Sequence, residues 1–157
     1  MKLFRIFSVL PSLFFTAACA AGLSHVDNCE VGCPTGGSDQ TLVREAYTLN
    51  NNSHRKFANW VAYKITKASL ASGRSRSWKR DPDLPAADTL APAAYKGASA
   101  ALAVDRGHQA PLAGLGASAD WPALNYLSNI TPQASDLNQG AWARLEDKER
   151  ALAERRD

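Results

Sequence analysis

Ala103-Val104-Asp105-Arg106-Gly107-His108-Gln109-Ala110-Pro111 joins the end of a short apolar run to three residues of high chemical value. The run, residues 100–104, reads as a buried strand end that feeds the polar tetrad. Arg106 carries a permanent charge on a planar fork that matches phosphate oxygens. His108 can take and return a proton near neutrality. Gly107 between them permits a turn or a close backbone approach. By itself the tetrad is a weak signal, because an isolated His beside an Arg is more often a satisfied structural residue. Its meaning depends on what surrounds it.

Downstream, residues 126–130 (YLSNI) read as a brief strand that Thr131-Pro132-Gln133 breaks. Ser135-Asp136 then offers a helix N-cap, and a helix runs from Leu137 toward Arg156. Leu137, Ala141, Leu145 and Leu152 recur at helical spacing and form its apolar stripe. Upstream, residues 41–48 alternate as a strand, Asn50-Asn51-Asn52-Ser53 is a turn, and residues 57–65 are a second strand rich in aromatic and β-branched side chains. His54 sits in the polar tip of this hairpin as an exposed bystander. Residues 68–81 are polar, and Pro82, Pro85 and Pro92 make residues 81–94 an irregular arm. The elements together predict an α+β fold. A central antiparallel sheet combines the hairpin with the strands near Ala100 and Tyr126, and the Leu137 helix packs against it.

The chain has 157 residues, enough for one modest domain, and a formal charge of +3 from 18 basic and 15 acidic residues. Residues 1–20 have the parts of an export signal: Lys2 and Arg5, an apolar core, then Ala18-Cys19-Ala20 as a cleavage pattern. The segment is too short and wrongly flanked for a membrane span. Thr16-Ala17-Ala18-Cys19 also loosely resembles a lipoprotein box, with Cys19 lipidated. Either reading takes the protein out of the cytoplasm. Without the signal the basic and acidic residues nearly cancel, which excludes a globally basic nucleic-acid binder. The charge is instead segregated. Residues 44–80 carry nine basic side chains against Glu45, and residues 81–136 carry six acids against Lys96 and Arg106. One locally basic face suits a polyanion that must be bound and released, although a solvated charged surface has the same composition. In an oxidising compartment Cys29 and Cys33 should close a small disulfide loop. Two thiolates without nearby histidines are an incomplete zinc set.

Taken together, residues 104–111, the run NYLSNITPQASDLNQGAWARLEDKER at 125–150, and DNCEVGCPTGGS, YTLNNNS, KFANWVAY and ADTLAP further upstream resemble the sugar-non-specific DNA/RNA endonucleases typified by a secreted bacterial nuclease. The specific part is Asp-Arg-Gly-His followed by Asn-Gln-Gly on a helix. The resemblance implies a ββα-metal active site, a magnesium cofactor, and hydrolysis of phosphodiester bonds in DNA and RNA to 5′-phosphate products. It also implies a longer domain, with further strands, helices and a second disulfide. Residues 21–157 are therefore expected to be the N-terminal part of such a domain, with the helix stripe partly exposed and open to self-association. A polyanion-binding fragment with impaired catalysis is the alternative.

Hydrolysis of a phosphodiester needs an activated water, charge neutralised on the transition state and help for the leaving oxygen. His108 is the natural base, and Arg106 and Arg76 are natural clamps for non-bridging oxygens. Magnesium takes oxygen ligands and keeps most of its waters, so one carboxamide can anchor it. The resemblance puts that ligand at Asn138, where capping of the helix is the plainer reading. It makes Glu146 the carboxylate that orders metal-bound water, where an ion pair with Arg150 is nearly as good an explanation. It places Asn129 at a supporting position. No zinc cluster, no Ser or Cys nucleophile beside His108 and no groove-reading motif is present in the sequence, in keeping with recognition through phosphate.

Overall fold

Residues 40–62 form an antiparallel meander in the structure, a computed structural model that describes residues 28–36 and 40–156. The proposed export segment lies outside the described residues. β1 (Thr41–Val43) pairs with β2 (Thr48–Asn52), and β2 pairs with β3 (Phe57–Ala62). Two expectations change here. The strand foreseen over residues 41–48 is interrupted by a reversal at 44–47, closed by Arg44 N–H to Tyr47 O at 2.9 Å. The asparagine run foreseen as a turn belongs to β2, and the turn falls at residues 53–56 with Lys56 in the left-handed region at φ 69°. Asn50 is buried with both atoms of its amide bonded, and Asn51 with its Nδ2 bonded and its Oδ1 without a partner among the described residues. Asn59 Nδ2 donates to Asn50 Oδ1 at 2.8 Å, and Asn51 Nδ2 donates to Asp88 O at 3.0 Å. A buried amide that finds bonds across the fold is compatible with a strand, so composition alone misread the run.

The Ala-rich run before the tetrad is helical. α1 (Ala98–Leu102) is bracketed by left-handed residues, Gly97 at φ 77° and Ala103 at φ 52°. Alanine favours a helix unless packing demands a strand. The strand is the tetrad itself: β4 (Val104–His108) pairs with β5 (Ile130–Ala134), setting Arg106 opposite Pro132 and His108 opposite Ile130. Residues 127–129, foreseen in a strand, form a 3-10 turn, and Thr131-Pro132-Gln133 lies inside β5 instead of ending it. The meander and the β4–β5 ribbon are separate sheets, in contrast to the single central sheet expected. Pro132 lacks an N–H, and a ribbon strand with one open edge tolerates that. Gly107 supplies close approach in place of a turn. A Cβ on it would lie 2.8 Å from Gln133 Cβ and would collide with Gln133 Oε1.

Two apolar clusters hold these parts. Tyr47, Leu49, Ala110, Leu115 and Leu124 centre the larger, and Tyr95, Leu127 and Ile130 the smaller, with Trp78 and Leu90 against it. α2 (Leu112–Leu115) follows the tetrad. The C-terminal helix begins as α3 (Ser135–Leu137), passes through a π-helical turn at Asn138–Trp142, and continues as α4 (Ala143–Glu154). Neither Ser135 nor Asp136 is its N-cap, which falls on Ala134 without a side-chain bond. Ser135 Oγ instead donates to Asp105 Oδ1 at 3.0 Å. Of the apolar stripe, Leu137 and Leu145 are each 45% exposed and Leu152 48%, while Ala153 is buried. Partial exposure was the expectation. Cys29 and Cys33 form the foreseen disulfide. Among the described residues no helix is long and apolar enough to cross a membrane.

Candidate active site

Period-two geometry puts Arg106 and His108 on one face of β4, and that face lines a cleft of about 620 Å³. Arg76, Asn138 and Glu146 line the same cleft. Each arrives on a different support. Residues 75–79 run beside 125–127, with Lys79 N–H on Asn125 O and Leu127 N–H on Lys79 O, which carries Arg76 and Trp78 to the ribbon. Asn138 and Glu146 come from the helix that follows β5, so two strands and a helix frame the site.

His108 is 8% exposed. Burial lowers its pKa to about 4, the Asn125 hydrogen bond opposes this, and the charge of Arg76 adds to it. The imidazole is therefore neutral near pH 7. Its tautomer follows from Asn125. Asn125 Nδ2 donates to Ser75 O at 3.1 Å, and a carbonyl only accepts, so Asn125 Oδ1 faces His108 Nε2 at 3.3 Å. Nε2 then carries the hydrogen and Nδ1 keeps the free lone pair. Trp78 lies against the ring with centroids 5.3 Å apart.

The Arg106 guanidinium sits over two rings, 5.6 Å from the Trp78 centroid and 5.2 Å from that of Tyr95. Its buried Nε has no hydrogen-bond partner among the described residues. Tyr95 is held by its hydroxyl, which donates to Ile130 O at 3.2 Å. Neither Arg106 nor Arg76 forms a salt bridge with another described residue. Two uncompensated arginines in one cleft are an anion site.

The oxygen donors are Asn138, Glu146 and Asp105. Asp105 accepts from Gln139 Nε2 at 2.8 Å, Asn138 Nδ2 at 3.1 Å and Ser135 Oγ. These bonds hold its carboxyl below the ordinary value. They also engage the amide nitrogen of Asn138, leaving its Oδ1 as the atom to meet a cation. Burial raises the pKa of Glu146, opposed by Arg150, whose Nη1 stands 4.0 Å away while its Nη2 holds Asp147. Glu146 is thus only loosely paired. Among the described residues no group of three or more His, Cys, Asp or Glu is placed to hold a metal ion. The donor set fits a hard, largely hydrated cation and lacks the nitrogen and sulfur ligands that zinc prefers.

Asn129 is not brought to the cleft. It is fully buried, its Nδ2 donates to Ala110 O and Leu124 O, and its Oδ1 accepts from Ala110 N–H at 2.8 Å. It brackets the backbone that leaves His108, which is support and not contact with a substrate. Sequence reasoning missed Asn125, Trp78, Tyr95 and Asp105. Asp105 lay in the tetrad and was readable as a carboxylate near Asn138. The other three offered no signal, because their roles depend on chain segments far from the tetrad.

Comparison with known proteins identifies the family. Residues 24–157 match the model of the DNA/RNA non-specific endonuclease family. A nuclease of Serratia marcescens is 65% identical over 154 residues, covering 98% of this chain and 58% of that protein. The mitochondrial endonuclease G of Bos taurus is 32% identical over 163 residues, covering 94% of this chain and 51% of that protein. The chain therefore spans between half and three fifths of the length of these two relatives. The crystal structure of an EndoG/EndoGI complex superposes with a TM-score of 0.63 at 24% identity, over 75% of this chain and 49% of that one, in agreement on the fold. On the match to residues 24–157 and the close relative, the chain belongs to the DNA/RNA non-specific endonuclease family.

Proposed function

We propose that the protein is a magnesium-dependent endonuclease that hydrolyses phosphodiester bonds of DNA and RNA without regard to the sugar, leaving 5′-phosphates. The observation that carries this is the convergence of His108, Arg76, Arg106, Asn138 and Glu146 on one cleft, with His108 neutral and its Nδ1 free. His108 Nδ1 takes the proton of the attacking water as oxygen approaches phosphorus. Arg106, which lies over the Trp78 and Tyr95 rings, and Arg76 hold the non-bridging oxygens as negative charge builds on them. Asn138 would hold the magnesium ion and Glu146 would order its waters, and the bound ion would supply positive charge to the phosphoryl group and the leaving oxygen. Phosphate contacts carry no base identity, which accounts for indifference to sequence. The export pattern of residues 1–20 supports a secreted or periplasmic setting.

The test is relaxation of supercoiled plasmid by the purified chain. Nicking with magnesium is expected, and it should vanish with EDTA and fall by roughly 10²–10⁴-fold in His108→Ala, the range for a positioned acid–base group. A second reading, a polyanion-binding protein that does not cleave, is favoured by Arg76 and Arg106, which line one cleft without a salt bridge to another described residue. Retention of DNA without nicking under every condition would support it. The half-exposed Leu137, Leu145 and Leu152 are the surface proposed for self-association, measurable by sedimentation.

A further inference from the structure

Arg76, His108 and Glu146 line a second cavity as well, of about 500 Å³, to which Arg106 and Asn138 do not contribute. The two cavities share these three residues of the proposed reacting centre. We propose that this second cavity is a subsite for the phosphodiester next to the scissile one on the same strand, and that Arg74 is its anchor. The proposal rests on the phosphodiesterase reading above and adds to it a multi-phosphate strand as the preferred substrate.

Arg74 lines the second cavity, two residues before Arg76 on an irregular segment. Its guanidinium is fixed at two points. Nε donates to Gly116 O at 2.7 Å, and the fork lies 4.8 Å from the centroid of the Trp121 ring. Gly116 is what allows the approach. A Cβ there would stand 3.1 Å from Arg74 Cγ and about as close to two backbone oxygens, those of Leu112 and Ala71. With Nε engaged and the plane set by stacking, the two terminal nitrogens remain for an anion, in the bidentate geometry that suits phosphate. Arg74 forms no salt bridge with another described residue. Arg150 also lines this cavity, but Asp147 and Glu146 already compensate it. Arg74 is thus a preorganised and uncompensated cation beside a reacting centre whose substrate repeats a phosphate at every nucleotide. Its ligand is the anionic oxygen pair of one further phosphate.

The experiment measures binding, with EDTA present, in His108→Ala protein so that nothing is cleaved. The probes are a short single-stranded oligothymidylate and a dinucleoside monophosphate that contains one diester. Arg74→Gln should weaken oligonucleotide binding roughly tenfold, the loss of one charge-assisted contact. It should also reduce the slope of log K against log salt by about 0.7, the increment for one phosphate on a single strand. Binding of the single diester should stay as it was. Arg74→Lys keeps the charge but not the Nε bond to Gly116, and it should restore the slope even where it lowers the melting temperature. An unchanged salt slope, with the effect confined to thermal stability, would overturn the proposal and leave Arg74 a brace for Gly116. Equal losses on both probes would overturn it too, by placing Arg74 on the scissile phosphate. Failure of either probe to bind while Arg74 is intact would instead sink the phosphodiester reading, and the subsite with it.

Discussion

At the scale of the residue, His108 is governed by desolvation. Its pKa of about 4 lies below the ordinary 6.5 because burial penalises the imidazolium. Between those two values the unfolded chain binds more protons than the folded one, so stability rises with pH across that window and is lost on acidification through it. The full change between neutral pH and acid below the folded value is on the order of 3 kcal/mol. Melts at pH 7 and pH 4.5 should show a smaller acid loss in His108→Gln than in the parent, and equal losses would disprove the assignment. The same shift keeps the proposed base competent to mildly acid pH, with the acid limb of a pH–rate profile near pH 4 and not near 6.5. Asn138 offers the second test. Asn138→Ala should weaken magnesium binding, read directly by calorimetry, whereas Asn138→Asp should retain part of it, since a carboxylate oxygen also suits a hard cation. Equal magnesium affinity in the parent and the alanine variant would reduce Asn138 to a helix-start residue.

At the scale of the element, the unusual feature is the π turn at Asn138–Trp142 inside the C-terminal helix. A π turn accommodates one extra residue and rotates the residues before it relative to those after it. Asn138 lies before the insertion and Glu146 after it, yet both face one cleft. Deletion of the exposed Ala141 should convert the turn to α-helix and keep the two side chains on one face, since seven residues at about 100° each close two turns to within about 20°. The expected result is a helix of undiminished circular dichroism that still binds magnesium and nicks DNA. Loss of both would show that the π turn sets more than the phase between Asn138 and Glu146.

At the scale of the molecule, the arm at residues 81–94 is tied to both halves of the fold by one buried cluster. Arg44 Nη2 donates to Asp81 Oδ1 at 2.7 Å and to Asp83 Oδ2 at 2.9 Å, Ser128 Oγ donates to Asp81 Oδ2, and Arg44 stacks on Tyr47 and Tyr126. Asp81 is fully buried. Removing one member of a buried pair leaves the other charge without compensation, at roughly 3–5 kcal/mol. With Asp83 still in place, Asp81→Ala should cost about 3 kcal/mol in chemical denaturation. A joint Arg44→Met, Asp81→Leu variant should recover much of it, because an apolar pair carries no desolvation penalty. A loss below about 1 kcal/mol, the level of an exposed pair, would mean that water reaches the cluster.

The local chemistry was legible in the sequence. The Asp-Arg-Gly-His tetrad, the small disulfide, a hairpin near residue 57 and a helix bearing Asn138 and Glu146 all follow from residue types at short spacing, where periodicity and side-chain pKa act without tertiary help. Five of the six chosen site residues do converge on the cleft. The tertiary structure decided the rest. It turned the alanine run into a helix and the tetrad into a strand, and it split the expected sheet in two. It placed Asn125 on His108, closed Trp78 and Tyr95 over Arg106, and buried Asn129 away from the cleft. Each of these outcomes turns on whether a polar or aromatic group finds its partner across the fold. A hydrogen bond or ring contact between residues far apart in the chain exists only once packing has brought them together.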